Sequence, residues 1–170
     1  VRIPAAFCGV FGLKPSYGSV SRYGLVAFAS SLDQIGPIAR GAEDAALALS
    51  VIAGSDPRDS TSSPSAGGDY VLQMRGDLGG LRVGVPREYF PQGLDPEVAE
   101  SVRAVEAELR ALGAKVVEVS LPSTAHALSS YYILAPSEAS ANLARFDGMR
   151  YGFNAAGGDG VSLLDRYEES

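Results

Sequence analysis

Side chains suited to nucleophilic catalysis are few in this 170-residue sequence, which has one histidine and one cysteine. His126 is the only possible imidazole base for a Ser-His-Asp triad, but it lies in "STAHALSS", at a predicted helix start, and residue types alone do not make a triad. Cys8 stands between Phe7 and Gly9, so we expect a small buried hydrophobic side chain rather than a reactive thiolate. One histidine and one cysteine also cannot supply the usual zinc ligand sets, so no metal site is predicted.

Three polar residues, Ser30, Ser31 and Asp33, lie inside the apolar, turn-rich stretch "FASSLDQIGP". Buried hydroxyl and carboxylate groups need hydrogen-bond partners. They can bond to loop backbone and hold its shape, or they can support an adjacent site, and the two interpretations are compatible. We expect Asp33 to accept hydrogen bonds from loop N–H groups.

Two adjacent tyrosines, Tyr131 and Tyr132, lie in a segment that is predicted to be mostly helical from Thr124 to Arg145, with a possible break near Pro136. Adjacent residues cannot face the same way on a helix. One tyrosine is therefore expected in a core, and the other could present its hydroxyl to a pocket.

Secondary-structure elements must position these residues, and the clearest of the predicted patterns is a strand–helix–strand unit. Apolar strands are predicted at 81–86 and 115–120, around a helix over 96–112 in which Asp95 caps the start and Pro96 fits the first position. Short connections favour a βαβ unit and a parallel sheet. The length favours one domain over residues 1–170, and the Ser-, Asp-, Pro- and Gly-rich stretch 55–69 is predicted to be a surface loop.

The composition is that of an ordinary soluble globular protein, with 46% hydrophobic and 20% charged residues. No apolar run reaches the ~18 residues of a membrane span. The net charge of −6, without a Lys/Arg cluster, argues against direct nucleic-acid binding, so any RNA is expected to be held by another chain. Phosphate-binding loops of the common types are also absent from the sequence.

The opening stretch "VRIPAAFCGVFGLKPSYG" resembles the second half of the signature motif of the amidase signature family, and "SLDQIGPIAR" is similar to a later family segment. The matching residues are Val1, Arg2, Pro4, Phe7, Cys8, Gly9, Gly12, Leu13, Lys14 and Pro15 in the first motif and Asp33, Gly36, Pro37 and Arg40 in the second. The resemblance covers the whole chain. It implies an α/β protein with a partial amidase-signature fold, in which a mixed β-sheet is layered with helices.

The family uses a Ser-Ser-Lys triad, and the resemblance places none of its three members in this sequence. The nucleophilic serine is expected immediately before Val1, with the lysine and the second serine further upstream, which implies an internal segment of a longer chain. Tyr131 is implied as a substrate-binding residue. Arg2 and Asp33 are expected to support the site, and Arg2, placed in an apolar run, is expected to pair with a carboxylate.

Within the family, "SEASANLARFDGMRYG" is similar to the glutamine-hydrolysing subunits of tRNA-dependent amidotransferases. That likeness implies a cytoplasmic heterotrimer in which this subunit hydrolyses glutamine and supplies ammonia. A companion subunit would use ATP and Mg²⁺ to amidate glutamyl-tRNA and would make most of the tRNA contacts, so no cofactor is expected in this chain. Two alternatives stay open, namely another amide hydrolase of the family and a non-catalytic scaffold module of the same fold.

The resemblance generates a direct expectation for the isolated chain. Because nucleophile, relay serine and lysine base are all expected outside these 170 residues, the chain alone should release no ammonia from glutamine above the buffer rate. An ammonia-release assay on the purified chain checks this expectation. Glutamine hydrolysis by the isolated chain would contradict the placement of the triad.

Overall fold

The structure, a computed structural model, describes residues 1–74, 76–154 and 160–169. Backbone contacts divide it into two compact units, one formed by Val1–Leu72 with Tyr131–Ser170 and the other by Gln73–Ser130. The single domain over residues 1–170 stays a prediction. Residues 55–69, predicted to be a surface loop, contain neither helix nor strand, and none of them is fully buried.

The first unit is held together by short elements and small side chains. It begins with α1 (Arg2–Phe7) and β1 (Phe11–Gly12), which pairs antiparallel with β2 (Ile38–Ala39) before α2 (Ala42–Ile52). A further helix, α5, spans Leu163–Glu169. Small residues can approach closely without leaving voids, so most of the buried side chains here are small: Ala5, Val20, Ala29, Ala45, Ala46, Leu49, Ala135 and Ala139.

The second unit confirms the predicted βαβ pattern. Strand β3 (Arg82–Pro86) pairs in parallel with β4 (Lys115–Val119), and α3 (Pro96–Ala111) lies between them in the chain. The Asp95 carboxylate accepts the N–H of Glu97 at 2.8 Å, which satisfies one of the free donors at the helix start. The predicted and observed ends agree to within one residue.

A glutamate joins the carboxyl ends of these two parallel strands. Glu88, in a 3₁₀ turn directly after β3, accepts the N–H of Leu121 at 2.9 Å and the hydroxyl of Ser120, which follows β4. These hydrogen bonds, the Leu121 N–H first, lower the pKa of Glu88 to about 2. The carboxylate therefore stays ionised and keeps the two strand ends together down to strongly acidic pH.

The next helix, α4 (Thr124–Leu143), runs without interruption through Pro136, so the possible break near that residue is not observed. Proline removes one backbone donor and normally costs a helix about 3 kcal/mol. Here Ala135 and Ala139 are buried on one side of the helix, and the Ser137 hydroxyl donates to the Ile133 carbonyl at 2.6 Å. Packing on this side holds the helix continuous. None of the described helices has the length and hydropathy of a membrane span.

The expectation of a buried Cys8 is wrong, because Cys8 is exposed. Helix α1 has only six residues and buries one of them, Ala5. Ile3 and Phe7, on its other sides, are 70% and 89% exposed, so no described residue covers the surface next to the thiol.

Gly36 marks a close backbone approach in the first unit, beside the β1–β2 pair. A Cβ atom at position 36 would lie 2.1 Å from the Leu13 carbonyl oxygen and 3.1 Å from the Pro15 ring. We expect Gly36→Ala to lower the free energy of unfolding by about 1–3 kcal/mol, because the backbone must separate. Urea unfolding measures this effect.

The matched control is Gly76→Ala, where a Cβ atom would meet nothing within 4 Å. Its free energy of unfolding should change by less than about 0.5 kcal/mol. Equal effects of the two substitutions would show that backbone entropy, and not the close approach, explains the result.

Candidate functional site

Arg2 begins α1 and lines an open pocket of about 240 Å³ with Lys14 and the apolar residues Val1, Ile3 and Pro4. The expected carboxylate partner is not found, since no carboxylate of the described residues lies within 4.0 Å of the Arg2 guanidinium. Lys14 donates to the Pro15 carbonyl at 2.8 Å. A supporting role for Arg2 stays a prediction.

Asp33 closes the loop over residues 28–33, as expected from the sequence. Its carboxylate accepts the N–H of Phe28 at 2.9 Å and the N–H of Ala29 at 3.2 Å, while its own N–H donates to the Ala29 carbonyl at 2.8 Å. The expected hydrogen bonds to loop backbone are therefore confirmed. Whether this loop supports a catalytic site stays a prediction.

Arg22 binds the same loop and was missed by the sequence analysis. Its guanidinium donates to the Ser30 carbonyl and, at 2.9 Å, to the Thr61 hydroxyl, and its centre lies 4.9 Å from the centroid of the Tyr17 ring. The Tyr17 hydroxyl also donates to the Ser30 carbonyl, at 2.9 Å. Only 15% of the Arg22 side chain is exposed. The sequence does contain a signal for this arrangement, namely an arginine within "SRYGL" that is followed by the acid-rich loop "DPRDSTS".

Acidic residues of the loop over residues 55–69 accept hydrogen bonds from Ser21 and Arg22. Asp59 accepts the N–H of Arg22 at 2.8 Å, and Asp56 accepts the Ser21 hydroxyl at 2.8 Å. Asp56 also pairs with Arg58, whose guanidinium lies 4.4 Å from the centroid of the Tyr23 ring. The Arg58 hydrogen bonds, followed by that of Ser21, lower the pKa of Asp56 from 3.8 to about 2.

These groups surround a cleft of about 220 Å³ whose polar lining includes Arg22, Arg58, Asp33, Asp59 and Ser30. Two guanidinium groups face two carboxylates, so the lining has no formal net charge. The named hydrogen bonds of these side chains hold loop segments in place. Chemically, the arrangement can define the shape of a wall beside a site, and it offers no activated nucleophile.

Tyr131 and Tyr132 are both on the surface of α4, with 52% and 65% of each residue exposed. Their ring centroids lie 5.5 Å apart with an interplanar angle of 65°. The expectation that one of the pair lies in a core is therefore wrong for the described chain. His126, in the first turn of α4, is exposed and has no described partner for a triad.

Ser31 bonds to a side chain of α4 and not to loop backbone, so it does not match the first of the two interpretations of the polar loop residues. Its N–H donates to a carboxylate oxygen of Glu138 at 2.9 Å, and its hydroxyl donates to the other oxygen of the same carboxylate. These bonds lower the pKa of Glu138. The partner is a helix side chain 107 residues away and not loop backbone, so this contact could not be predicted locally.

Comparison with known proteins by family profile and by sequence identifies related amidases. The family profile described as "Amidase" matches residues 1–168. The A subunit of the glutamyl-tRNA(Gln) amidotransferase of Chloroflexus aggregans is 60% identical over 170 residues, which are the whole of this chain and 34% of that protein. The chain thus spans about a third of the length of the curated relatives it matches.

Solved structures show the same relationship. The crystal structure of the corresponding glutamyl-tRNA(Gln) amidotransferase subunit from Thermotoga maritima is 40% identical and matches with a TM-score of 0.76, covering 88% of this chain and 32% of that one. The native peptide amidase from Stenotrophomonas maltophilia is 32% identical with a TM-score of 0.70, covering 89% of this chain and 32% of that one. The expected amidase-signature fold is confirmed.

The ion pair around Asp56 predicts an acid-sensitive loop. Because the folded pKa lies near 2 and the usual value is 3.8, the ionised carboxylate stabilises the fold above pH ~4, and this contribution is lost as the pH falls toward 2. We expect Asp56→Asn to unfold at a lower temperature than the unmodified protein at pH 6, with a smaller difference at pH 2.

Thermal unfolding monitored by circular dichroism between pH 6 and pH 2 measures this change. Glu100→Gln, which removes an exposed carboxylate of α3 without a described hydrogen bond, is the control and should follow the unmodified protein. A difference between Asp56→Asn and the unmodified protein that does not vary with pH would contradict the assigned ion pair.

Proposed function

The chain belongs to the amidase family, and from this premise we propose that it forms part of the glutamine-hydrolysing subunit of a glutamyl-tRNA(Gln) amidotransferase. The observation that supports the proposal best is the 60% identity to such a subunit over all 170 residues. The peptide amidase of the same fold, at 32% identity, is a more distant relative. Identity at this level over a whole segment favours the same substrate class over a general amide hydrolase.

In the proposed reaction a serine attacks the side-chain amide of glutamine, ammonia leaves, and water releases glutamate from the acyl-enzyme. The nucleophile would directly precede Val1, and a lysine acting through a second serine would accept its proton. Backbone N–H groups near the nucleophile would stabilise the oxyanion. In this proposal these groups precede Val1, and the chain contributes substrate contacts and support rather than the reacting atoms.

Tyr131 is the residue of this chain that we assign to the substrate. Its hydroxyl has no hydrogen bond within the described residues, and the residue is 52% exposed, so the hydroxyl is available to a ligand. A glutamine amide offers a donor and an acceptor, and a phenol can pair with either. In this proposal Arg2 and Asp33 support the site, Arg2 through a carboxylate elsewhere in the protein.

Ammonia would pass to a companion subunit, which would use ATP and Mg²⁺ to amidate the tRNA-bound glutamate. The net charge of −6 supports a division of labour in which another subunit binds most of the tRNA, because phosphate contacts require clustered cationic side chains. No residue of this chain is assigned to ATP or Mg²⁺. The complex is proposed to be a heterotrimer.

A hybrid protein tests the proposal. This chain replaces the matching 170 residues of the Chloroflexus aggregans protein, and the hybrid is produced with the companion subunits of that organism. We expect the hybrid to co-purify with them, to release ammonia from glutamine and to convert glutamyl-tRNA(Gln) to glutaminyl-tRNA(Gln) with ATP. The control hybrid, in which the residue directly before Val1 is alanine, should be inactive.

Other outcomes would contradict the proposal in distinct ways. Hydrolysis of simple amides without hydrolysis of glutamine would favour a general amide hydrolase. A hybrid that assembles with the companion subunits but cleaves no amide would favour a non-catalytic module.

The assignment of Tyr131 predicts a specific kinetic change in the hybrid enzyme. Tyr131→Phe removes one neutral hydrogen bond, which is about 0.5–1.5 kcal/mol, so kcat/KM for glutamine should fall about 2- to 12-fold. The melting temperature should change little, because the hydroxyl has no described partner within the chain. Steady-state glutaminase kinetics and thermal unfolding measure both quantities.

Tyr132→Phe is the matched control, since it removes the same group one position away and about 100° around the helix. It should leave kcat/KM within about 2-fold of the unmodified hybrid. If Tyr132→Phe lowered kcat/KM more than Tyr131→Phe did, the assignment of the substrate contact to Tyr131 would be wrong.

A further inference from the structure

One side of α4 presents a regular row of side chains. Tyr131, Ala135, Glu138 and Asn142 are separated by four, three and four residues, which is the spacing of one helix face. Ala135 is 1% exposed, so this is the side of the helix that packs against the rest of the first unit. Tyr132 lies about 100° away from the row.

Two members of the row bind the loop over residues 28–31. Glu138 uses both carboxylate oxygens for Ser31, accepting its N–H at 2.9 Å and its hydroxyl. One turn further along, the Asn142 side-chain amide donates to the Phe28 carbonyl at 3.1 Å. Each contact lies off the helix axis and opposes rotation about it, and two contacts one turn apart also oppose tilting of the helix about either contact.

The loop that receives these contacts is itself held from other sides. Asp33 accepts the N–H groups of Phe28 and Ala29, and the Ser30 carbonyl accepts hydrogen bonds from Arg22 and Tyr17. Ala29 is only 2% exposed. A loop bound in this way is a fixed reference, so the contacts of Glu138 and Asn142 determine the orientation of α4 and not that of the loop.

We propose that Glu138 is a positioning residue that acts through Tyr131: its two hydrogen bonds to Ser31 set the rotation of α4, which directs the Tyr131 hydroxyl toward the substrate. The inference rests on the proposed function for its kinetic consequence. The geometric part rests only on the described contacts. Asn142 assists at the next turn, and Tyr132 lies outside the row and is not directed by it.

The first experiment observes the position of Tyr131 directly. Fluorotyrosine is incorporated at residue 131 of the hybrid protein, and its ¹⁹F resonance is recorded for the unmodified chain and for Glu138→Gln. The amide keeps the size of the side chain but replaces one acceptor oxygen with a donor, so one of the two oxygens that accept the Ser31 hydrogen bonds is lost. We expect the resonance to shift or to broaden. Glu43→Gln, at an exposed position of α2 without a described hydrogen bond, is the control and should leave it unchanged.

The second experiment measures the consequence for glutamine. Glu138→Gln should raise KM about 3- to 10-fold with kcat within about 2-fold, because binding geometry changes and the reacting groups do not. In a double-mutant cycle, Glu138→Gln should reduce kcat/KM by less than about 2-fold when Tyr131 is already phenylalanine. Such non-additivity is expected only if Glu138 acts through the Tyr131 hydroxyl.

The outcomes separate the two proposals. An unchanged ¹⁹F resonance, or effects on kcat/KM that multiply independently in the cycle, would overturn the positioning role and leave Glu138 as a stabilising contact. A shifted resonance in a hybrid that assembles but does not hydrolyse glutamine would support the positioning role and contradict the proposed function.

Discussion

Backbone polar groups in the segment over residues 28–33 cannot pair within a helix or a strand, and the arrangement of the first unit depends on how side chains satisfy them. An unpaired N–H or C=O group costs free energy comparable to a lost hydrogen bond where it is buried, and Ala29 within this segment is 2% exposed. Asp33 supplies acceptors from within this segment, and Arg22 and Glu138 supply a donor and acceptors from two other parts of the chain. The loop therefore joins the amino-terminal elements to α4, the helix that carries Tyr131.

Carboxylates accept hydrogen bonds that hold loops and strand ends in both compact units, and in each case the donors keep the carboxylate ionised. Glu88 holds the ends of β3 and β4 together, Asp56 binds Ser21 and Arg58, and Glu138 binds Ser31. The pKa of each group is lowered. A chain with 20 acidic residues and a net charge of −6 thus uses part of its negative charge to fix loops and strand ends.

Apolar surface is extensive on the described helices. Val98, Val102 and Val105 of α3 are 51%, 44% and 57% exposed, although their spacing is that of a core-facing stripe. The sheet beside α3 has two described strands, and parallel sheets are normally covered on both faces. Exposed apolar surfaces of this kind are typical of interfaces with further polypeptide. This is in keeping with a chain that spans about a third of the length of its curated relatives.

The sequence by itself determined the features that depend on neighbouring residues. Asp95 and Pro96 start α3, apolar runs on either side make β3 and β4, and the signature residues around Gly9 and Gly36 were sufficient to indicate the family. The backbone contacts of Asp33 could also be predicted, because a carboxylate in a tight loop finds its donors within five residues.

Only the tertiary structure decided the rest. Ser31 and Glu138 are 107 residues apart, and Arg22 and Thr61 are 39 apart, so no local pattern pairs them. Burial has the same origin: the exposure of Cys8 and the continuity of α4 through Pro136 follow from which surfaces are covered. Local sequence sets the conformations that a segment prefers, whereas side-chain partners and burial are set by distant segments that fold against it.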